Sequence, residues 1–260
     1  MPSIYDLPNW LFCFVVVGGF VSFALIGQII VRRFLPRWYG DRDYNEIVGQ
    51  YLSAAGVFFG ITLGLLSVAA WENFADVDGT VLQEASNLGV LYRTAGNYPE
   101  PERTELTQLL REYARHEIDV AWPKQQKGIV PGPGGNALLN RIQQRLAGFE
   151  PRTEAQKNVQ AEALRQFSNM VETRRLRLSS VNNALPALVW VIVIGGSFLN
   201  LSLLWLFVVE NKRLHDVLTT VLAALLGLLV FLLAVMDQPF RGESSVGPES
   251  FELIYEQFMQ

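Results

Sequence analysis

The stretch Ile47–Trp71, IVGQYLSAAGVFFGITLGLLSVAAW, decides the fold of this chain. It contains no charged residue, and at about 1.5 Å per residue a helix of this length crosses the roughly 30 Å of hydrocarbon in a bilayer. Three further apolar segments have the same character, at 9–31, 187–209 and 216–236. Half of the chain is hydrophobic (50%) and only 18% is charged. The sequence therefore predicts an integral membrane protein with four transmembrane helices.

The second of these helices has two unlike faces. At about 100° per residue, small side chains share one face, and these residues are Ser53, Gly56, Gly60 and Gly64. Bulkier side chains occupy the opposite face, and these are Tyr51, Phe58, Thr62 and Leu65. The small face is a candidate helix-packing surface, because small residues let two helices approach closely. The bulky face is a candidate pore lining, and the sequence leaves open both whether a pore exists and which face meets it.

The polar stretch between the second and third apolar segments predicts a helical extramembrane domain. Residues 72–95 contain no proline and keep a helical period, which favours a stalk that continues the second helix. Further helices are predicted at 101–120, 136–147 and 153–182, and no β pattern appears. The prediction is an all-α protein with this organisation: transmembrane helices 1 and 2 in 1–71, the extramembrane domain in 72–184, a hairpin of transmembrane helices 3 and 4 in 185–236, and a C-terminal segment packing on the extramembrane domain in 237–260.

Two groups of residues at the ends of apolar segments are candidate sites. Arginines precede the third segment, where they could contact lipid phosphates, and these are Arg174, Arg175 and Arg177. A second motif follows the fourth segment and consists of Asp237, Pro239, Phe240 and Gly242. An acid at this boundary either holds a helix end, by pairing with an arginine or backbone amides, or acts as a functional ligand.

The sequence offers little for catalysis. His116 and His215 lie in different regions, and neither has the second histidine that a zinc helix needs. No nucleophile elbow, phosphate-binding loop or Cys–His pairing occurs, so we expect no enzyme activity and no metal site. A net charge of −4 gives no reason to expect nucleic-acid binding. The single cysteine, Cys13, excludes an internal disulfide.

Several short motifs, taken in order, resemble those of a known family. They are Glu84-Ala85 with Leu91-Tyr92-Arg93, Tyr113 followed by Ala121-Trp122-Pro123, Arg174-Arg175-x-Arg177 before Pro186, and DQPFRG at 237–242 with VGPESFE at 246–252. In these motifs the chain resembles the bestrophin-like bacterial membrane proteins, a family defined by a domain of unknown function. Pro239-Phe240-x-Gly242 followed by Phe251-Glu252 is also similar, more distantly, to a motif of the bestrophin ion channels.

The resemblance implies a homo-oligomer, a pentamer in bestrophins, with its pore on the shared axis and the second helix lining a hydrophobic neck. It further implies a cytosolic domain and conduction of small monovalent ions, usually anions such as chloride. Calcium-sensing bestrophins carry a run of acids after this motif, whereas Ser244, Ser245 and Val246 stand there in this chain. We therefore expect no cofactor, since Ca²⁺ needs several oxygen ligands at once. The acids left to supply them are Asp237, Glu243, Glu249 and Glu252.

The sequence leaves two alternatives for the orientation in the membrane and three for the function. Lysines and arginines near the spans number six in the short loops and five on the domain side, which does not decide the topology. The first helix alone favours an outside N terminus, while the resemblance favours a multi-pass protein of the cell (inner) membrane with a cytoplasmic domain. For function, we expect an oligomeric channel for small monovalent anions. The alternative is a non-conducting membrane scaffold or signalling protein whose helical domain binds a partner, and a membrane enzyme is the third hypothesis.

Overall fold

The computed structural model describes residues 5, 7–39, 43–181 and 184–259, and no strand occurs among them. The helices are α1 (Asn9–Val31), α2 (Leu35–Tyr39), α3 (Asn45–Ala95), α4 (Glu102–His116), α5 (Trp122–Gln125), α6 (Gly134–Gly148), α7 (Glu154–Ser180), α8 (Ala187–Leu204), α9 (Lys212–Asp237) and α10 (Glu249–Phe258). A π-helical turn, Glu117–Ala121, joins α4 to α5. The helices α1, α3, α8 and α9 are long and apolar enough to cross a membrane. The prediction of an all-α protein with four such helices is confirmed.

Helix α3 is the longest element, with 51 residues and a length of about 75 Å at 1.5 Å per residue. It runs unbroken through the end of the apolar stretch, so residues 72–95 continue the second membrane helix. The third apolar segment is shorter as a helix than its sequence suggested. Helix α8 ends at Leu204, because the chain then turns and re-enters a helix at Lys212.

The described chain divides into two compact units. The first unit comprises Met1–Asn73 and Ala184–Asp237, and the second comprises Phe74–Asn183 and Gln238–Gln260.

In the first unit, α1 and α9 pack side by side in opposite directions. Gly227 makes this approach possible, since a Cβ atom there would lie 3.0 Å from the Cα of Val17. Near the other end of the pair, Gln28 and Asp216 are joined by a hydrogen bond of 3.0 Å. The hydrophobic core of this unit includes Phe20, Ala24, Leu63, Val193, Leu201, Ala223, Val230 and Leu233. Small residues at the helix crossings thus let these membrane helices pack closely.

The second unit has a separate hydrophobic core. Helix α4 contributes an apolar stripe at helical spacing, namely Leu106, Leu109, Leu110 and Tyr113. The other fully buried side chains of this core include Leu88, Leu91, Trp122, Ile142, Leu146, Met170, Phe240 and Phe251. Thr153 caps α7 by accepting a hydrogen bond from the amide of Gln156 at 3.2 Å. This unit therefore packs as a water-soluble helical domain does.

Candidate functional site

The apolar part of α3 uses only a narrow face to contact the rest of its own unit. Val48, Leu63 and Ala70 are buried there. Phe59 lies on the same side and packs so closely on α8 that a Cβ at Gly196 would be 2.4 Å from its ring. Neighbouring side chains on this side are partly buried, and most of the rest of this helix segment is exposed in the single chain.

The four pore-lining candidates all lie outside this contact face. The exposed fractions of Tyr51, Phe58 and Leu65 are 69%, 75% and 68%. Thr62 is also exposed, and its hydroxyl donates to the carbonyl of Phe58 at 2.9 Å. The structure thus leaves this face free, and the pore-lining role itself stays a prediction.

The small face is equally free within one chain. A Cβ atom at Gly56, Gly60 or Gly64 would meet no atom within 4 Å, and Ser53 is exposed. Glycines that serve packing inside the unit look different, since a Cβ at Gly27 would lie 2.0 Å from the ring of Trp205. No described residue of the chain packs on this face, and the predicted helix packing stays a prediction.

The two exposed faces flank the contact face on opposite sides. Relative to Leu63, a period of about 100° per residue places Gly60 roughly 60° to one side and Phe58 roughly 140° to the other. One helix can therefore present small residues in one direction and bulky residues in another while its third side packs on α8.

Asp237, the last residue of α9, holds the start of α8. One carboxylate oxygen accepts the backbone amide of Leu185 at 2.6 Å, and the other accepts the indole N–H of Trp190 at 3.1 Å. Of the two predicted roles, the described contacts match the helix-end interaction with a backbone amide. Asp237 as a whole is 4% exposed, so its carboxylate has little surface left for another ligand.

The rest of this motif forms a tight loop in the second unit. Gly242 has a φ of 86°, a conformation that favours glycine. The loop closes through the amide of Val246, which donates to the carbonyl of Pro239 at 2.7 Å. Phe240 is buried edge-on against Trp122, with ring centroids 6.0 Å apart. Pro239, Phe240 and Gly242 thus have structural roles that their sequence order alone did not reveal.

Two of the three arginines that precede α8 are buried, contrary to the role predicted for them. The side chain of Arg177 is 0% exposed and lies between two carboxylates, at 2.6 Å from Glu84 and 2.6 Å from Glu117. Arg174 is 5% exposed and donates to Asn136 at 2.9 Å. Lipid phosphates cannot reach these buried groups, so the predicted lipid contact is wrong for Arg174 and Arg177. Arg175 is exposed, and for it the contact stays a prediction.

Two further buried groups complete the cluster around Arg177. Its third guanidinium nitrogen donates to the side-chain oxygen of Gln125 at 2.7 Å. The hydroxyl of Tyr113 donates to Glu84 at 3.0 Å. Both carboxylates form ion pairs with the guanidinium of Arg177, although one oxygen of Glu117 accepts no hydrogen bond from the described residues. This pairing lets the cluster stay ionised away from water.

The two carboxylates of this cluster differ in acidity. Burial raises the pKa of Glu84 above its ordinary value, although Arg177 opposes that effect. Burial acts in the same direction on Glu117, but Arg177, His116 and Arg174 outweigh it and lower the pKa of Glu117 to about 2. Glu117 is therefore the firmly charged partner of Arg177.

No group of three histidine, cysteine, aspartate or glutamate side chains in the described part of the chain is placed to hold a metal ion. The expectation that Ca²⁺ does not bind stays a prediction, as does the absence of other cofactors.

Comparisons with known proteins agree on one family. The model of the Bestrophin-like domain matches residues 18–251. A variant of a bacterial bestrophin homologue from Klebsiella pneumoniae has a similar fold, with a TM-score of 0.75, 11% identity, and coverage of 95% of this chain and 99% of that chain. A second variant from Klebsiella pneumoniae gives a TM-score of 0.71 at 12% identity, covering 95% and 97%. No curated protein matches the chain.

The family match covers most of the chain, while the structural matches at this identity establish the fold. Membership implies a function of the ion-channel kind in a membrane, and the family's members are channels rather than enzymes. The chain belongs to the family of proteins with a Bestrophin-like domain.

Proposed function

We propose that this protein is an ion channel assembled from several copies around a shared axis, a pentamer by resemblance, with the apolar part of α3 lining the pore. The supporting observation is that nothing in the described part of the chain covers either flanking face of this helix. A small face that admits a neighbouring copy and a bulky face that meets the axis would use both of them.

The bulky face has the chemistry of a hydrophobic neck. Rings of Phe58 and Leu65, repeated by symmetry, would form a constriction that gates by dewetting. The ring edges of Phe carry a partial positive charge, which favours a passing anion. We therefore propose small monovalent anions, such as chloride, as the permeating ions.

The second unit, in this proposal, is a cytoplasmic domain inserted between the second and third membrane helices. Its own hydrophobic core suits a domain in water, and a chain with a single cysteine, which can form no internal disulfide, suits that compartment. A reporter fused to the C terminus, assayed in intact cells, tests the orientation.

Chloride flux into liposomes tests the channel. The purified protein should give flux above empty vesicles, and Phe58→Ala should increase it by widening the neck. Leu225→Ala is the matched control, since Leu225 is an apolar residue on α9 that is 52% exposed. Its truncation should leave the chloride flux unchanged. The proposal would be contradicted if liposomes with the wild type and liposomes with Phe58→Ala both gave no more flux than empty vesicles.

The scaffold hypothesis differs in stoichiometry and flux. A non-conducting scaffold needs no shared axis, so a detergent-solubilised monomer or dimer by native mass spectrometry would favour it over the channel.

A further inference from the structure

We propose that the first unit binds one anionic phospholipid in a groove beside Trp205, with an acyl chain in the groove and the phosphate at Arg33. The groove has a volume of about 330 Å³ and is lined by Phe23, Ile26, Gly27, Ile30, Val31 and Trp205. Its lining exposes only apolar atoms. This site is separate from the arginines of α7 and from α3, and it does not depend on the proposed channel.

The groove exists because a tryptophan ring lies directly on the backbone of α1. The indole N–H of Trp205 donates to the carbonyl of Ala24 at 2.9 Å, and the Phe23 ring lies 5.2 Å from the indole, centroid to centroid. Gly27 allows this position, since any Cβ there would overlap the ring. Beside the ring, Ile26 and Ile30 stay 58% and 52% exposed and form the open wall of a trough.

One end of the trough lies at a polar boundary. Val31 ends α1, and Arg32 and Arg33 follow immediately. The hydroxyl of Tyr39 donates to the carbonyl of Leu206, the residue after Trp205, at 3.1 Å. Tyrosine and tryptophan side chains with one apolar and one polar end are typical of the headgroup level of a bilayer.

The two arginines at this end have different surroundings. Arg32 forms an ion pair with Asp216 at 2.8 Å. Arg33 is exposed, and no ion pair to it occurs within the described ranges. A cation with no ion pair among the described residues, two positions after the trough residue Val31, favours an anion attached to a hydrocarbon chain, which is what an anionic phospholipid supplies.

Native mass spectrometry of the full-length protein in detergent tests the site. The protein receives equal amounts of phosphatidylglycerol and phosphatidylcholine with identical acyl chains. We expect preferential retention of phosphatidylglycerol, because a basic residue near the membrane surface gives about a fivefold preference for an anionic lipid. Arg33→Gln should lower the retention of phosphatidylglycerol about fivefold and leave phosphatidylcholine unchanged.

Two further variants separate the groove from general surface charge. Arg213→Gln is the matched control, since Arg213 is an exposed arginine of α9 near Asp216, at the same end of the packed α1–α9 pair, and it does not line the groove. It should retain both lipids as the wild type does. Ile30→Trp should fill the trough and lower the retention of both, and Ile30→Phe replaces it if the larger variant does not fold.

Three results would overturn the proposal. The first is equal retention of the two lipids by the wild type. The second is a loss of phosphatidylglycerol in Arg213→Gln as large as in Arg33→Gln. The third is unchanged lipid retention in both Ile30 variants together with a change in oligomer mass, which would assign the trough to a second copy.

Discussion

The two halves of α3 belong to one unbroken helix but bury their side chains very differently. Up to Asn73 the buried residues are Val48, Leu63 and Ala70, whereas the shorter half from Phe74 to Ala95 buries Val77, Val81, Glu84, Ala85, Asn87, Leu88, Gly89, Leu91 and Ala95. In water an exposed apolar side chain costs about 25 cal/mol per Å², so the second half must pack into a core. In hydrocarbon that cost vanishes. Exposure in the first half therefore marks surface left for lipid, ions or other copies, and five predictions probe this difference.

The largest effect is expected where the second half of α3 is buried, at the ion pair of Glu84 with Arg177. Arg177→Met removes the guanidinium between Glu84 and Glu117 and leaves two buried carboxylates facing each other. Breaking a buried ion pair costs about 3–5 kcal/mol, so the free energy of unfolding should fall by at least that amount. Thermal unfolding of the purified protein by circular dichroism measures it. Arg175→Met is the control, because Arg175 is exposed, and a similar loss there would contradict the assigned role of Arg177.

The two carboxylates of the cluster should respond unequally to neutralisation. Glu117→Gln removes a charge whose pKa is lowered to about 2, a shift that corresponds to roughly 3 kcal/mol of stability. Glu84→Gln should cost only about 1 kcal/mol, since burial already raises the pKa of Glu84 and a glutamine oxygen can still accept from Tyr113. Thermal unfolding of both variants at neutral pH gives the comparison.

Glu117 and Glu84 should affect the pH dependence of the protein's stability in opposite directions. For an acid with a lowered pKa, the stabilisation is full above its unfolded-state value of 4.5 and disappears as the pH falls toward about 2. Glu84 acts oppositely, because a raised pKa favours the folded state as the pH falls. Wild-type stability should therefore drop between pH 4.5 and 2, and Glu117→Gln should flatten that drop. A drop of unchanged size in Glu117→Gln would refute the assignment of the charged partner.

Two glycines of the membrane helices should respond differently to substitution. Gly27→Ala places a Cβ inside the ring of Trp205 and should destabilise the first unit by about 1–3 kcal/mol. A Cβ at Gly60 would meet no described atom within 4 Å, so Gly60→Leu should leave the fold of each copy unaffected. If the small face packs against another copy, Gly60→Leu will instead reduce the oligomer to smaller species in native mass spectrometry. An unchanged oligomer would remove the small face from the interface.

The sequence predicted those features that depend on residues close together in the chain, and it missed contacts between residues far apart in the chain. The apolar run of α3, its continuation beyond the membrane segment and the all-α fold follow from local composition and period. The burial of Arg174 and Arg177 had a local signal that was missed, since these positions continue the buried spacing of Ala163, Phe167 and Met170 along α7. Their partners had none, because Glu84 lies 93 residues from Arg177 in the chain. Likewise, the sequence left Asp237 as either a helix-end acid or a functional ligand, because its contact with Leu185 depends on the packing of α8 and α9.

The smallest expected effect concerns the ions themselves. Glu72 is exposed and lies two turns beyond Leu65, on the bulky side of α3 at about 100° per residue. If this face meets the pore, a ring of these carboxylates opposes anions electrostatically. Glu72→Gln should then raise the chloride-to-potassium permeability ratio, by up to about fivefold for the loss of one charge per copy. Reversal potentials in a salt gradient across a planar bilayer measure the ratio.

Glu210→Gln provides the matched control for that measurement. Glu210 is an exposed acid in the loop between α8 and α9, beyond the helices rather than on α3. It should leave the permeability ratio unchanged. If both variants shifted the ratio equally, the effect would be general surface charge, and if neither did, the bulky face would not meet the ions. The small face would then be the better candidate for the pore, because it is the other face of α3 that the chain leaves uncovered.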